Sequence, residues 1–307
     1  MNRRAVHDRH SLRRGVRWLA ILAALVTQSP IKAETLKSET LAAWEAYLET
    51  AHSRMHARLE PGQRFLSIDE TDARAEKIRG GEPAVFPLGH TPQRVSSGLI
   101  HDWVGIAFIP KAKIGDVLAT VRNYERYSEM YRPAVVESKA SESDESVDRF
   151  SMLLANRSVV SKTALQGDYE ASYVRIDDHR WYSVSKATRI REIEKYATSR
   201  QRMLPENEGS GLIWRLFSIT LFEERDGGVY IELEAIALSR DIPFSLRLIA
   251  TPIVRRVSRN SLLTSLQQTT DAVCSRSLLA VQHSADDRSI DRTPTRSATG
   301  NTINSFH

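Results

Sequence analysis

Residues 211–243 read GLIWRLFSITLFEERDGGVYIELEAIALSRDIP, two apolar runs on either side of Asp226-Gly227-Gly228. Glycine after aspartate supplies the positive φ angles of a tight turn, so the stretch reads as a β-hairpin. In its second strand Val229, Ile231, Leu233, Ala235 and Ala237 fall on one face. Tyr230, Glu232, Glu234 and Arg240 fall on the other, with Ile236 and Leu238 as apolar exceptions. The apolar face needs a cover, and the glutamate face reads as solvated. The chain that follows can supply the cover. Asp241 with Pro243 marks a helix start, and Thr251-Pro252 marks a kink or a restart, because proline lacks the N–H. Beyond it Val257, Leu262, Leu266, Thr269 and Val273 recur at helical spacing, which predicts a long helix lying on the sheet.

Working outward from the hairpin, Leu99 to Ile109 reads as a strand apolar on both faces, stopped by Pro110. A helix follows, with Ile114, Val117, Leu118, Val121 and Tyr124 in one stripe. Tyr124, Tyr127 and Tyr131 before Pro133 mark a further short helical turn. Strands are expected at Ala134 to Lys139, Val147 to Asn156, Val159 to Ile176 and Trp181 to Ile193. In the third of these, Thr163, Leu165, Tyr169, Ala171 and Tyr173 share a face. Residues 194–210 read as a loop. Closer to the N-terminus, Leu41, Trp44, Leu48, Ala51 and Met55 form a seam on an otherwise charged helix within 34–59, which must dock on something. A connection follows, with a short strand at Phe65 to Ile68 and a short helix near Asp72 to Lys77.

Strand, helical segment, six strands and a long helix are satisfied by an α+β arrangement: a bent seven-stranded antiparallel sheet wrapped around the C-terminal helix, with an N-terminal helical extension. Three stretches carry a resemblance. They are FIPKAKIGDVLATVRNYERYSEMYRPAVVESK (108–139), the hairpin quoted above, and SRNSLLTSLQQTTDAV (258–273). On these residues the chain resembles the START-like, helix-grip (SRPBCC) superfamily, which includes polyketide cyclase-like and lipid-transfer domains. The resemblance implies the helix-grip fold over residues 95–280 and an apolar molecule held between the sheet and the last helix.

Composition bounds the rest. Residues 1–33 hold seven Lys/Arg and one acid, leaving 36 basic against 37 acidic groups, so the net charge of +5 belongs to the leader. With no basic face in prospect, a nucleic-acid partner is not expected. The leader has a basic stretch to Arg17, an apolar stretch Trp18 to Val26 and a polar exit toward Ala33, the pattern of a secretory signal. Its nine apolar residues are too few for the roughly 20 that cross a bilayer. The expectation is a signal at 1–33, a helix and connection at 34–94, the main domain at 95–280 and a disordered tail at 281–307, with export to the periplasm or beyond. Cys274, alone, can form no intrachain disulfide and reads as a packed thiol.

Catalytic patterns are thin. The chain has no Gly-rich phosphate loop, no GxSxG, no HExxH and no paired-cysteine signature. His52 and His56 lie four apart without a third ligand, and His101 and Asp102 point to opposite faces of one strand. Arg189 and Arg191 share a face, which anchors an anion if it looks inward and pairs with surface acids if it looks outward. No catalytic residue, metal or cofactor is expected. The cavity candidates are Trp103, Tyr169, Tyr173, Trp214, Leu216, Val229, Ile231, Leu233, Leu262, Leu266, Thr269 and Val273. Residue types alone do not separate a filled core from a pocket. The Ser- and Thr-rich last helix tilts the reading toward a pocket. The function expected is a monomeric, exported, non-catalytic binding or transfer protein for a hydrophobic small molecule or lipid, compatible with transient membrane contact. The alternatives are a cyclase/aromatase-like enzyme using the same cavity, with His101 or an arginine transferring a proton, and an interaction module using the N-terminal helix.

Overall fold

The computed structural model describes residues 34–70, 72–141, 144, 146–155 and 163–290. The expected signal segment lies outside them, as do residues 291–307 of the expected tail. In chain order the elements are β1 (Glu34–Thr35), α1 (Ser38–Ala57), a 3-10 turn at Ser67–Glu70, α2 (Asp72–Arg79), β2 (Ala84–Pro87), β3 (Gln93–Val95) and β4 (Gly98–Pro110). Next come α3 (Ile114–Val121), α4 (Tyr127–Met130), β5 (Val135–Ala140), β6 (Asp148–Ala155), β7 (Ala164–Arg175) and β8 (Arg180–Glu194). The two-residue strands β9 (Arg202–Met203) and β10 (Glu208–Gly209) precede the hairpin β11 (Arg215–Arg225) and β12 (Gly228–Arg240). Helix α5 (Arg247–Ile290) ends the described chain.

The sheet runs β2-β4-β12-β11-β8-β7-β6-β5, antiparallel throughout, with β3 added beside β4 and β9 beside β8. Its seven long strands are the seven expected. The first of them, β4, lies next to the last, β12, and the helical segment α3–α4 carries the chain across to β5. With α5 laid against it, this is the helix-grip architecture. The hairpin turn is Asp226-Gly227, both residues at positive φ (54° and 76°), with Arg225 opposite Gly228. That pairing of two left-handed residues matches the right-handed twist of the strands. A thread of small residues fixes where the helix lands. At Gly105 on β4 a Cβ would come within 2.6 Å of Leu266 Cδ1 and 3.0 Å of Leu262 Cγ, so only glycine lets α5 sit this close.

Several expectations are corrected. Phe65 to Ile68 is not a strand: all four residues are buried, so the alternation of a half-exposed strand is absent, and Ser67 and Ile68 open the 3-10 turn. Pro252 neither starts nor breaks the last helix but is carried inside it. Helix α5 also continues through Ile290, into the segment expected to be disordered. The largest correction concerns Glu232 and Glu234. Their face is not solvated: α1, the 3-10 turn and α2 cover it, and Glu232 is only 3% exposed. Arg54 on α1 and Arg58 at its C-cap, one turn apart, reach these carboxylates. Arg58 pairs with Glu232 Oε1, while Glu232 Oε2 accepts from Ser67 N (2.7 Å) and Ser67 Oγ (2.9 Å). Arg54 pairs with Glu234 (2.6 Å) and Asp102 (3.2 Å). Buried carboxylates on a strand thus announce a partner with complementary cations, not solvent.

The seam on α1 therefore docks on its own sheet. Trp44, Ala51 and Met55 bury against Ile100, Val104, Ile106, Phe217, Ile219, Leu221, Ile236 and Leu238. This is the larger of the two principal cores, and it lies on the face of the sheet away from α5. We call that face outer and the face toward α5 inner.

Candidate ligand-binding site

The inner face divides in two. Along β4 and the Val229–Ile231 half of β12 it is filled. Leu262, Leu266 and Val273 of α5 pack with Trp103, Ala107, Ile109, Val117, Phe222, Val229 and Ile231, and Leu266 is 2% exposed. Helix α5 packs on β4 and β2 and against α3 and α4. The stripe of α5 residues is thus a core and not the open part of a pocket.

Toward the middle strands the face opens. On β11 the outer residues Phe217, Ile219 and Leu221 are buried, while their inner neighbours Leu216, Ser218 and Thr220 are only half-buried. On β12 Leu233, Ala235 and Ala237 are likewise half-buried. The register lines the inner residues into a row across five pairings: Trp103 opposite Ala235, Ala235 opposite Ser218, Ser218 opposite Ser185, Ser185 opposite Ala171, Ala171 opposite Asp148. Adjacent strands lie about 4.8 Å apart, so the row spans roughly 24 Å, and its four central residues are all small. The next row places Gly105, Leu233, Thr220, Ser183 and Tyr173 side by side. Together they form a shallow trough in the concave face, floored by Ala, Ser and Thr.

One end of the trough is Trp103, buried, with its indole Nε1–H unpartnered. The other is an aromatic wall. Phe150 lies stacked between Tyr124 (centroids 4.1 Å) and Tyr169 (5.1 Å), and Tyr127 and Tyr131 continue it edge-on. At its base Arg122 holds Asp148 through two hydrogen bonds of 2.8 Å. Tyr124 Oη donates to Asp148 Oδ2 at 2.9 Å and lies 3.3 Å from Tyr173 Oη. Tyr131 Oη meets Thr269 Oγ1 at 3.0 Å, so α5 closes this side through Thr269. Burial raises the phenols of Tyr124, Tyr127, Tyr131 and Tyr169, and burial pushes Tyr173 up to about 12. All five therefore stay protonated and serve as neutral donors.

His101 also faces inward, beside Ala237. Its Nε2 lies 2.9 Å from Ser239 Oγ, its Nδ1 is buried without a partner, and burial holds the imidazole down at about 4, hence neutral. Arg189 points outward and pairs with Asp168 (2.7 Å), because a bulge at Thr188 shifts the alternation of β8. Among the described residues no three His, Cys, Asp or Glu are grouped to hold a metal ion.

Of the residues singled out from sequence, Trp103, Tyr169, Tyr173, Leu216 and Leu233 border or floor the trough. Val229, Ile231, Leu262, Leu266 and Val273 belong to the packed core, with Thr269 at its margin. Trp214, just before the first residue of β11, belongs instead to the outer core, with its ring beside Gly211. Sequence reasoning missed Ser183, Ser185, Ser218, Thr220, Asp148 and Arg122. A signal was present: in YSVS (182–185) and FSITL (217–221) the apolar residues fall on one face and Ser or Thr on the other, opposite to the assumption that the apolar face looks toward the last helix.

No protein-family model and no curated protein matches the sequence. Solved structures similar to the chain include a STAR-related lipid transfer protein from Xanthomonas axonopodis, at 14% identity over 62% of this chain and 98% of that one, with a TM-score of 0.42. Human STARD10 is similar at 6% identity, over 75% and 89% of the two chains, with a TM-score of 0.41. The Zhui aromatase/cyclase from Streptomyces sp. R1128 is similar at 9% identity, over 58% and 95%, with a TM-score of 0.40.

Proposed function

We propose that the protein is an exported, non-catalytic carrier of a hydrophobic small molecule or lipid, held on the concave face of the sheet beside α5. The observation that carries the reading is the contrast within β11. Residues facing α1 are buried, and those facing the trough are left half-open although they lie at the centre of the sheet. A sheet centre left uncovered by the protein's own side chains is a surface kept for another molecule. Transient membrane contact fits the start of α5, where Phe244 (84% exposed) and Leu248 (93% exposed) stand beside Arg255, Arg256 and Arg259 in a stretch, 242–270, without an acid. The cyclase-like alternative finds a charged group at the trough end, Asp148. Both its oxygens are engaged by Arg122 and Tyr124, which suits a fixed wall better than a proton acceptor.

Native mass spectrometry of the protein purified from the cell envelope fraction after full-chain expression tests this. The reading expects a chain lacking about its first 33 residues and carrying a released adduct of a few hundred daltons. A chain that stays in the cytoplasm at full length contradicts export, and an adduct-free protein that binds no apolar probe contradicts the carrier.

A further inference from the structure

We propose that a cavity at the start of α5 is a phosphate-binding site formed by Arg94, Arg247 and Arg255, open to the head group of an anionic lipid or to a soluble phosphate compound. The proposal rests on the membrane contact described above only for the lipid source, and not at all on what the trough carries. The cavity has a volume of about 310 Å³. It is walled by the β2–β3 segment (His90, Arg94), the residue after β12 (Asp241) and the first turns of α5 (Arg247, Thr251, Arg255). Small-molecule pockets run from roughly 300 to 1,000 Å³, so a space of this size takes a head group and not a whole lipid.

Arg247, Thr251 and Arg255 follow one another at intervals of four, so a single stripe of α5 faces the cavity. Asp241 Oδ2 draws in two guanidiniums from distant parts of the chain, Arg94 at 3.1 Å and Arg247 at 3.0 Å. Arg247 is fixed further by its Nε–H, which donates to Ile242 O at 2.9 Å. One carboxylate thus positions two arginines without neutralising both. Arg255 adds a third guanidinium, and among the described residues no carboxylate pairs with it. Three guanidiniums against one carboxylate leave the lining two positive charges in excess. That is the complement of a phosphate group, which arginine binds through paired N–H donors. The first turn of α5 carries no acid, and the helix dipole there adds to the attraction. Phe244, its ring 5.5 Å from the Arg247 guanidinium, and Leu248 stand exposed beside the site, as contact with a bilayer carrying the phosphate would require.

Calorimetric titration of the purified protein with inorganic phosphate, at ionic strength held constant with chloride, tests the site. Binding should saturate, and Arg255→Gln should weaken it by about tenfold or more, the size of one charge-assisted hydrogen bond lost. Arg256→Gln removes the same charge from the neighbouring position outside the cavity, and should keep affinity within about twofold. Both arginines are exposed, so neither change threatens the fold. Arg255→Lys keeps the charge without the paired donors and should fall with Arg255→Gln. A second arm measures sedimentation with phosphatidylcholine vesicles made with and without phosphatidylglycerol. A larger loss of phosphatidylglycerol-dependent binding in Arg255→Gln than in Arg256→Gln identifies the lipid head group as the source. Saturable phosphate binding with no vesicle binding removes the membrane contact and leaves the site to a soluble phosphate compound. No saturable phosphate binding by the wild type, or equal losses in Arg255→Gln and Arg256→Gln, overturns the site. Neither result touches the carrier reading, which uptake of an apolar probe decides separately.

Discussion

The two faces of the sheet are built on opposite principles. The outer face, under α1, is dry and apolar, crossed by buried ion pairs from Arg54 and Arg58 to Asp102, Glu232 and Glu234. The inner face is packed only where α5 meets β4 and is open and lined with hydroxyls at its centre. The difference teaches that this chain stabilises its sheet mainly from outside, which frees the concave side from the duty of being a core. Here the N-terminal segment supplies a second layer.

Substitutions that separate the faces come first by size. Trp44→Ala removes the largest α1 anchor from the outer core and should cost about 3–5 kcal/mol in chemical denaturation. Leu266→Ala, in the packed part of the inner side, should cost about 2–5 kcal/mol. Leu266→Trp should destabilise as well, by about 1–3 kcal/mol, because the leucine already sits against Gly105 with no room to spare. If Leu266→Trp were neutral, the open region would have to extend under α5, and the division drawn here would be misplaced.

Much of the fold was legible because it rests on periodicity. The DGG turn, the alternation of β12, the seam of α1 and the spacing of α5 each follow from local patterns that the structure repeats. The site was less legible for a reason visible in Ser218 and Thr220. On β11 the alternation of apolar and hydroxyl residues is unmistakable, yet alternation says only that two faces differ, not which one looks at which helix. Glu232 and Glu234 pointed the wrong way for the same reason. Carboxylates signal water unless a cation arrives from far along the chain, and Arg58 lies too distant in sequence for any local window to connect them.

A smaller, pH-dependent effect sharpens the comparison, since His101 and Asp102 are neighbours on opposite faces. Burial holds His101 at about 4, below its unfolded value, so the unfolded state binds more protons and stability falls as pH drops from about 6.5 toward 4. Burial, and next the charge of Glu234, raise Asp102 to about 7. Its stabilising contribution is present in full below about 3.9 and is lost as pH rises through 7. The two oppose each other in the parent chain. His101→Gln should therefore gain stability on acidification from pH 7 to 5, and Asp102→Asn should lose it over the same interval. Thermal melts at the two pH values check this, and parallel behaviour of the two variants would contradict the opposed assignment.

The most direct measurement uses adjacent residues of β11, Ile219 on the outer face and Thr220 on the inner, each changed to alanine and followed by both denaturation and binding of a fluorescent apolar probe. The account predicts that Ile219→Ala costs about 2–5 kcal/mol and leaves affinity within about twofold. It predicts that Thr220→Ala costs less than about 1 kcal/mol and weakens binding several-fold. Equal stability costs at the two positions, or weaker binding from Ile219→Ala alone, would show that the inner face is a core like the outer one and that the ligand site lies elsewhere.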